Sequence, residues 1–226
     1  NIAFATGEAS DGVAGGISLV AGTGKEKAGD INISSGDGMA NDSSGGKVTV
    51  TSGSADGGQG GEITVNAGHS AGQTGGSIIL ESGGSDATSS GDIRIKSANS
   101  GLSGITGAIE VITGDSSSGA SGGMCILTGS ATSGNSGGLT LQVGDSDGSA
   151  AGNIVATAGS TTSQTSGASG GTVSLLGGNA DSAVGSTGGS VAIGSGSSAS
   201  GAAGDIKLTV GESAGDDVSG GDILLS

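Results

Sequence analysis

The chain has 226 residues, of which 54 are Gly and none is Pro, Trp or Tyr, and six Lys+Arg against 21 Asp+Glu leave a net charge of −15. With Phe4 as the only aromatic there is no platform for stacking bases or sugar rings, and the acidic balance repels phosphate backbones, so nucleic acid is excluded as a partner. No window approaches the roughly 18 apolar residues of a membrane span, no charged-then-apolar signal peptide is present, and the lone Cys125 rules out an intrachain disulfide or thiolate cluster.

Leu, Ile, Val and Phe together make 42 of the 226 residues, just under the roughly 20% below which a highly charged chain is usually disordered. Two features oppose disorder. Pro, abundant in disordered linkers and in collagen, is absent. The aliphatic residues are also not scattered but periodic.

A unit of the form Gly-x-h-x-h-x-s-Gly, with h aliphatic and s small, recurs along the chain. Its first h falls at Ile2, Ile17, Ile31, Val48, Ile63, Ile78, Ile93 and Ile109, then at Met124, Leu139, Ile154, Val173, Val191, Ile206 and Ile223. The second h, two residues on, runs from Phe4, Leu19 and Ile33 through Val65, Leu80 and Val111 to Leu208 and Leu225. The commonest spacing is 15 residues, and the longer spacings add their residues to the polar half of the unit. Gly stands two residues before the first h in all fourteen units that have that position, and five residues after it in thirteen of fourteen, Ala98 being the exception.

Side chains two apart lie on one face of a strand, and flanking Gly suits either a backbone with positive φ or a close approach at a corner. Gly at this density excludes a helix. The pattern predicts an all-β, single-domain parallel β-solenoid over residues 1–226, with about fifteen short coils of about 15 residues. Each h-x-h strand would stack on the next, about 4.8 Å apart, in a rod on the order of 70 Å long. Each coil would bury only two aliphatic side chains, about 3–6 kcal/mol, against a larger cost of ordering fifteen backbone residues, so bonds between coils must supply the rest. The first residues, Asn1-Ile2-Ala3, lack an initiator Met, which suggests processing or a segment of a longer fibre. Open strand edges at Ile2 and Phe4, and at Ile223 and Leu225, would invite end-to-end pairing.

No catalytic grouping is evident, because a reactive thiol at Cys125 needs a base and the only His, His69, is four units away. The residues between the two h positions include Thr only at Thr49, Thr64 and Thr140 and are interrupted by Arg94, Glu110 and Lys207, unlike a uniform ice-binding plane. Asp30, Asp92, Asp205 and Asp222 share the place before the first h, and Asp145, Asp147, Asp216 and Asp217 lie in the polar half. Calcium is conceivable at such carboxylates, but no calcium motif supports it, and a solvated acidic surface is the simpler reading; no cofactor is expected. Ile112, Cys125 and Leu127, on the face opposite the h residues, form a candidate lateral contact. Asn32-Ile33-Ser34 and Asn41-Asp42-Ser43 match the glycosylation acceptor pattern.

Units such as Ser136-Gly137-Gly138-Leu139-Thr140-Leu141 resemble the long Gly/Ser-rich repeat proteins of marine unicellular algae and some of their large viruses. The resemblance spans the whole chain and implies a surface or extracellular fibre with no active site. The expectation is therefore a structural protein that self-associates head to tail into a rigid filament, with lateral association as a further option, outside the cell or on a cell or virion surface. The alternative is a binding module for ice, calcium or a surface.

Overall fold

The computed structural model describes residues 2–40, 42–181, 184–212 and 220–225. The chain falls into two units, Asn1–Val111 and Ile112–Ser226. The first contains eight repeats of the sequence pattern and the second seven.

Among the described residues there is no helix and no strand. The predicted parallel β-solenoid is therefore not the fold: among the described residues there is no sheet, and no expected coil lies on a neighbour by a ladder of backbone bonds. No described residue is buried. The accessible surface is 21,958 Å², where a compact chain of 20.3 kDa would expose about 8,800 Å² and a fully extended one about 29,000 Å².

What the repeat does form is a series of closed loops. In the first unit the N–H of Gly61 donates to the C=O of Gly53 at 2.9 Å, Gly76 to Gly68 at 2.9 Å and Gly91 to Gly83 at 2.9 Å. The same bond joins Gly29 to Gly22 and Gly46 to Gly36, and in the second unit Gly171 to Gly159, Gly189 to Gly178 and Gly204 to Gly196. In every case the donor is the Gly that precedes one aliphatic step, and the acceptor is the Gly that follows the step before it. Each bond thus pinches off the polar Ser/Gly half of the repeat at a neck and leaves the h-x-h segment running from one neck to the next.

This geometry explains why the sheet does not form. A solenoid needs bonds between residues one whole repeat apart, which sets successive h-x-h segments side by side. The neck bonds span 7 to 12 residues, so they join consecutive segments end to end. With two aliphatic residues per repeat to offset the ordering of about fifteen, the chain closes its short local loops and goes no further.

The neck also accounts for the Gly before a step, though not for the Gly after it, since a Cβ on Gly53, Gly68 or Gly83 would meet nothing within 4 Å. A Cβ on Gly61 would sit 3.2 Å from the backbone nitrogen of Gly53 and 3.2 Å from Ser52 Cβ, and one on Gly189 would sit 3.0 Å from the nitrogen of Gly178. Close backbone approach, not positive φ, is what these positions require. Positive φ occurs instead inside the polar loops, at Gly12, Gly104, Gly119, Gly167 and Gly185, and at Asp42.

The loops between Ile93 and Ile154, and the one that contains Gly12, lack the neck bond. Three of them pass through Gly12, Gly104 or Gly119 at φ of 105° to 128°, beyond the left-handed helical region near +57°. Closed loops with a positive φ stay nearer that region, at 83° for Gly167 and 67° for Gly185.

Serine hydroxyls hold the loop tips. Ser85 Oγ accepts from the backbone N–H of Thr88 at 2.9 Å, Ser70 Oγ from Gln73 at 3.0 Å and Ser198 Oγ from Gly201 at 2.9 Å. These are the side-chain turns that make Ser favourable wherever the backbone must reverse without a sheet partner.

Candidate functional site: the exposed aliphatic steps

The h-x-h segment is the one feature that repeats in every unit and carries a distinct surface chemistry. Its three rows differ in exposure. In the middle of the first unit Ile63 is 53% exposed and Val65 68%, whereas Ile79, in the outward row, is 81% exposed. The order recurs in the second unit with Met124 at 50%, Ile126 at 63% and Leu127 at 87%. The alternation predicted from sequence therefore survives as a bias in direction, although the inward side has no core to enter.

The bias holds with and without the neck bond, since Ile63 has a closed neck on either side and Met124 lies among the loops that lack it. The small residue four places after the first h sits against the Gly that starts the next segment: Ser52 Cβ faces Gly61, Ala67 Cβ faces Gly76, and Ala158 Cβ faces Gly171. Ala21, Ser52, Ser82 and Ala158 are half-buried at closed necks and Ser97 at an open one, whereas Ala67 is exposed; all share the parity of the two h residues. The h side chains keep about half or more of their surface in water.

Charge is kept off the steps: none of the h positions carries a charged residue. The charged side chains sit beside them or in the loops. Lys27 Nζ pairs with Asp30 at 3.0 Å and Arg94 with Asp92 at 2.8 Å, both on the solvent side, where such pairs contribute little. Thr64 Oγ1 donates to Glu62 Oε1 at 2.9 Å across the same row.

The residues singled out from sequence are dispersed. Among the described residues no three His, Cys, Asp or Glu side chains gather as metal ligands, and of the shared aspartates Asp30 and Asp92 face cations of their own segment. Asp216 and Asp217 lie outside the described residues, as does Asn41, the acceptor of the second sequon; Asn32 is exposed. Ile112, Cys125 and Leu127 are all exposed in the second unit. Ile2 and Phe4, and Ile223 and Leu225, are exposed as well, in segments that are not strands. No helix among the described residues is long and apolar enough to cross a membrane. No pocket is present among them.

What the sequence reading missed is the neck. Its signal was there: the Gly before each step and the Gly that ends nearly every preceding one keep their places while the polar half between them varies in length. Compared with known proteins, the chain matches no protein family, no curated protein and no solved structure.

Proposed function

We propose that this chain is a structural protein of a filament or fibre outside the cell or on a cell or virion surface, that it has no catalytic role, and that it works by associating with further copies of itself. The observation that carries the reading is the repetition, fifteen times over, of an uncharged and exposed aliphatic step between acidic or polar loops. An enzyme or a receptor concentrates its chemistry at one place, whereas here the same minimal surface recurs along the chain. Exposed apolar surface on this scale marks interaction sites. The resemblance of the Gly/Ser-rich units to algal and viral repeat proteins supports the fibre and its location. The net charge of −15 keeps a long polymer of such units soluble between contacts.

Electron microscopy of the native material, with an antibody to the chain, tests this directly. The expected result is long, uniform threads decorated outside the cell envelope. Isolated chains at every concentration, or label confined to the cell interior, would overturn it.

A further inference from the structure

We propose that the assembly face is the row of aliphatic steps, and that its occupant is a second copy of this chain, laid step against step in the register of their common spacing. The inference rests on the filament reading and adds which side of the chain makes the contact.

Area is the first argument. The chain exposes 21,958 Å², about 13,000 Å² more than a compact chain of its mass, while a stable protein–protein interface needs only about 1,200–2,000 Å². The surplus is not spread evenly by chemistry. The steps are its apolar part, with Ile63, Val65, Ile78 and Leu80 each more than half exposed.

Spacing selects the partner. The steps recur at a commonest interval of 15 residues, separated by polar loops. A surface with any other apolar interval meets one step and then a loop, whereas a copy of this chain has the same interval and meets one step after another. Such a self-complementary patch is the ordinary basis of homo-oligomers.

The backbone points the same way. Among the described residues the backbone hydrogen bonds close loops at the necks and tips, and none joins one h-x-h segment to another. The segments therefore retain N–H and C=O groups in the manner of an unpaired edge, which pairs most readily with another extended chain. Charge opposes the contact, since both copies are acidic, but the step positions themselves are uncharged. The repulsion acts between loops, where salt screens it over about 8 Å at physiological ionic strength.

A competing face is available for comparison. Ile112, Cys125 and Leu127, with Val20 and Ile79, lie on the outward parity and are exposed too. With Val155, Leu176 and Leu224 they interrupt rows that are elsewhere small, polar or charged; Ile112 and Leu127 stand one interval apart, but no apolar run in either row covers more than two consecutive repeats, whereas the steps recur in every one.

Sedimentation velocity at physiological salt separates the two faces with three proteins: the wild-type chain, a step variant carrying Ile63→Ser, Val65→Ser, Ile78→Ser and Leu80→Ser, and an outward variant carrying Val20→Ser, Ile79→Ser, Ile112→Ser and Leu127→Ser. No described residue is buried, so neither variant has a core to lose. The wild-type and outward proteins are expected to associate alike. The step variant should lose about tenfold or more in association constant, given the apolar area it removes. Cys125, on the outward row, should react with a maleimide as fast in the assembled wild type as in the dilute chain. Equal association of the step variant, or loss in the outward variant with Cys125 protected, overturns the assignment. Wild-type threads that the step variant forms equally well would sink this face and leave the filament reading standing. A step-dependent dimer that never grows into threads would do the reverse.

Discussion

Replacing Gly61 by Val probes the neck, whose bond closes eight loops among the described residues. The Gly61 N–H donates to the Gly53 C=O at 2.9 Å, and a Cβ at Gly61 would stand 3.2 Å from the Gly53 nitrogen, 3.2 Å from Ser52 Cβ and 3.4 Å from the Gly53 oxygen. Three neighbours at that range, two of them backbone, must give by a few tenths of an ångström to admit a Cβ, and the two branches of Val add to that crowding. Losing the bond removes about 1 kcal/mol net, roughly a fivefold drop in the ratio of closed to open loop. Gly61→Ala should lie nearer neutrality, because the smaller displacement is offset by the ~0.4–1 kcal/mol gained when Ala restricts the open chain. Gly57 in the same loop supplies the control, since a Cβ there meets nothing within 4 Å. Amide hydrogen exchange read by NMR at residue 61 is the assay. Gly61→Val should exchange about five times faster than wild type and Gly57→Val within about twofold of it. Equal protection in the two valine variants would refute the claim that Gly precedes each step because the backbones must approach.

Two further outcomes follow from the loops and from the charge. Ser85→Ala removes the acceptor used by the N–H groups of Ala87 at 3.3 Å and Thr88 at 2.9 Å; those two amides should exchange roughly two- to tenfold faster, while Gly91, whose bond closes the neck of that loop, changes less. Unchanged exchange at Thr88 would mean that the hydroxyl does not hold the turn. Lowering the pH from 7 toward the isoelectric point near 4.1 strips the net charge of −15, and added salt at pH 7 screens it. Light scattering should therefore report stronger self-association in both cases, and association that weakens on acidification would contradict the view that loop repulsion is what limits it.

The sequence by itself determined the repeat: the places of the steps from Ile2 to Ile223, the uncharged character of those positions, and the polar halves that carry every insertion. These are properties of spacing and composition, and they needed no partner to be visible. It also determined the direction of the aliphatic side chains, because residues two apart share a side of any extended segment, and Ile63 and Val65 are in fact less exposed than Ile79. The tertiary structure alone decided what lies beside each segment. A period of 15 suggests one lap resting on the last, but a period fixes only how often a pattern returns along the chain, not which residue its backbone groups bond. That choice rests with the shortest closure the glycines permit. The bond from Gly61 to Gly53 orders a loop of a few residues, whereas pairing over a whole repeat would order twice as many for the same two aliphatic side chains, and the entropy of the additional residues decides in favour of the neck.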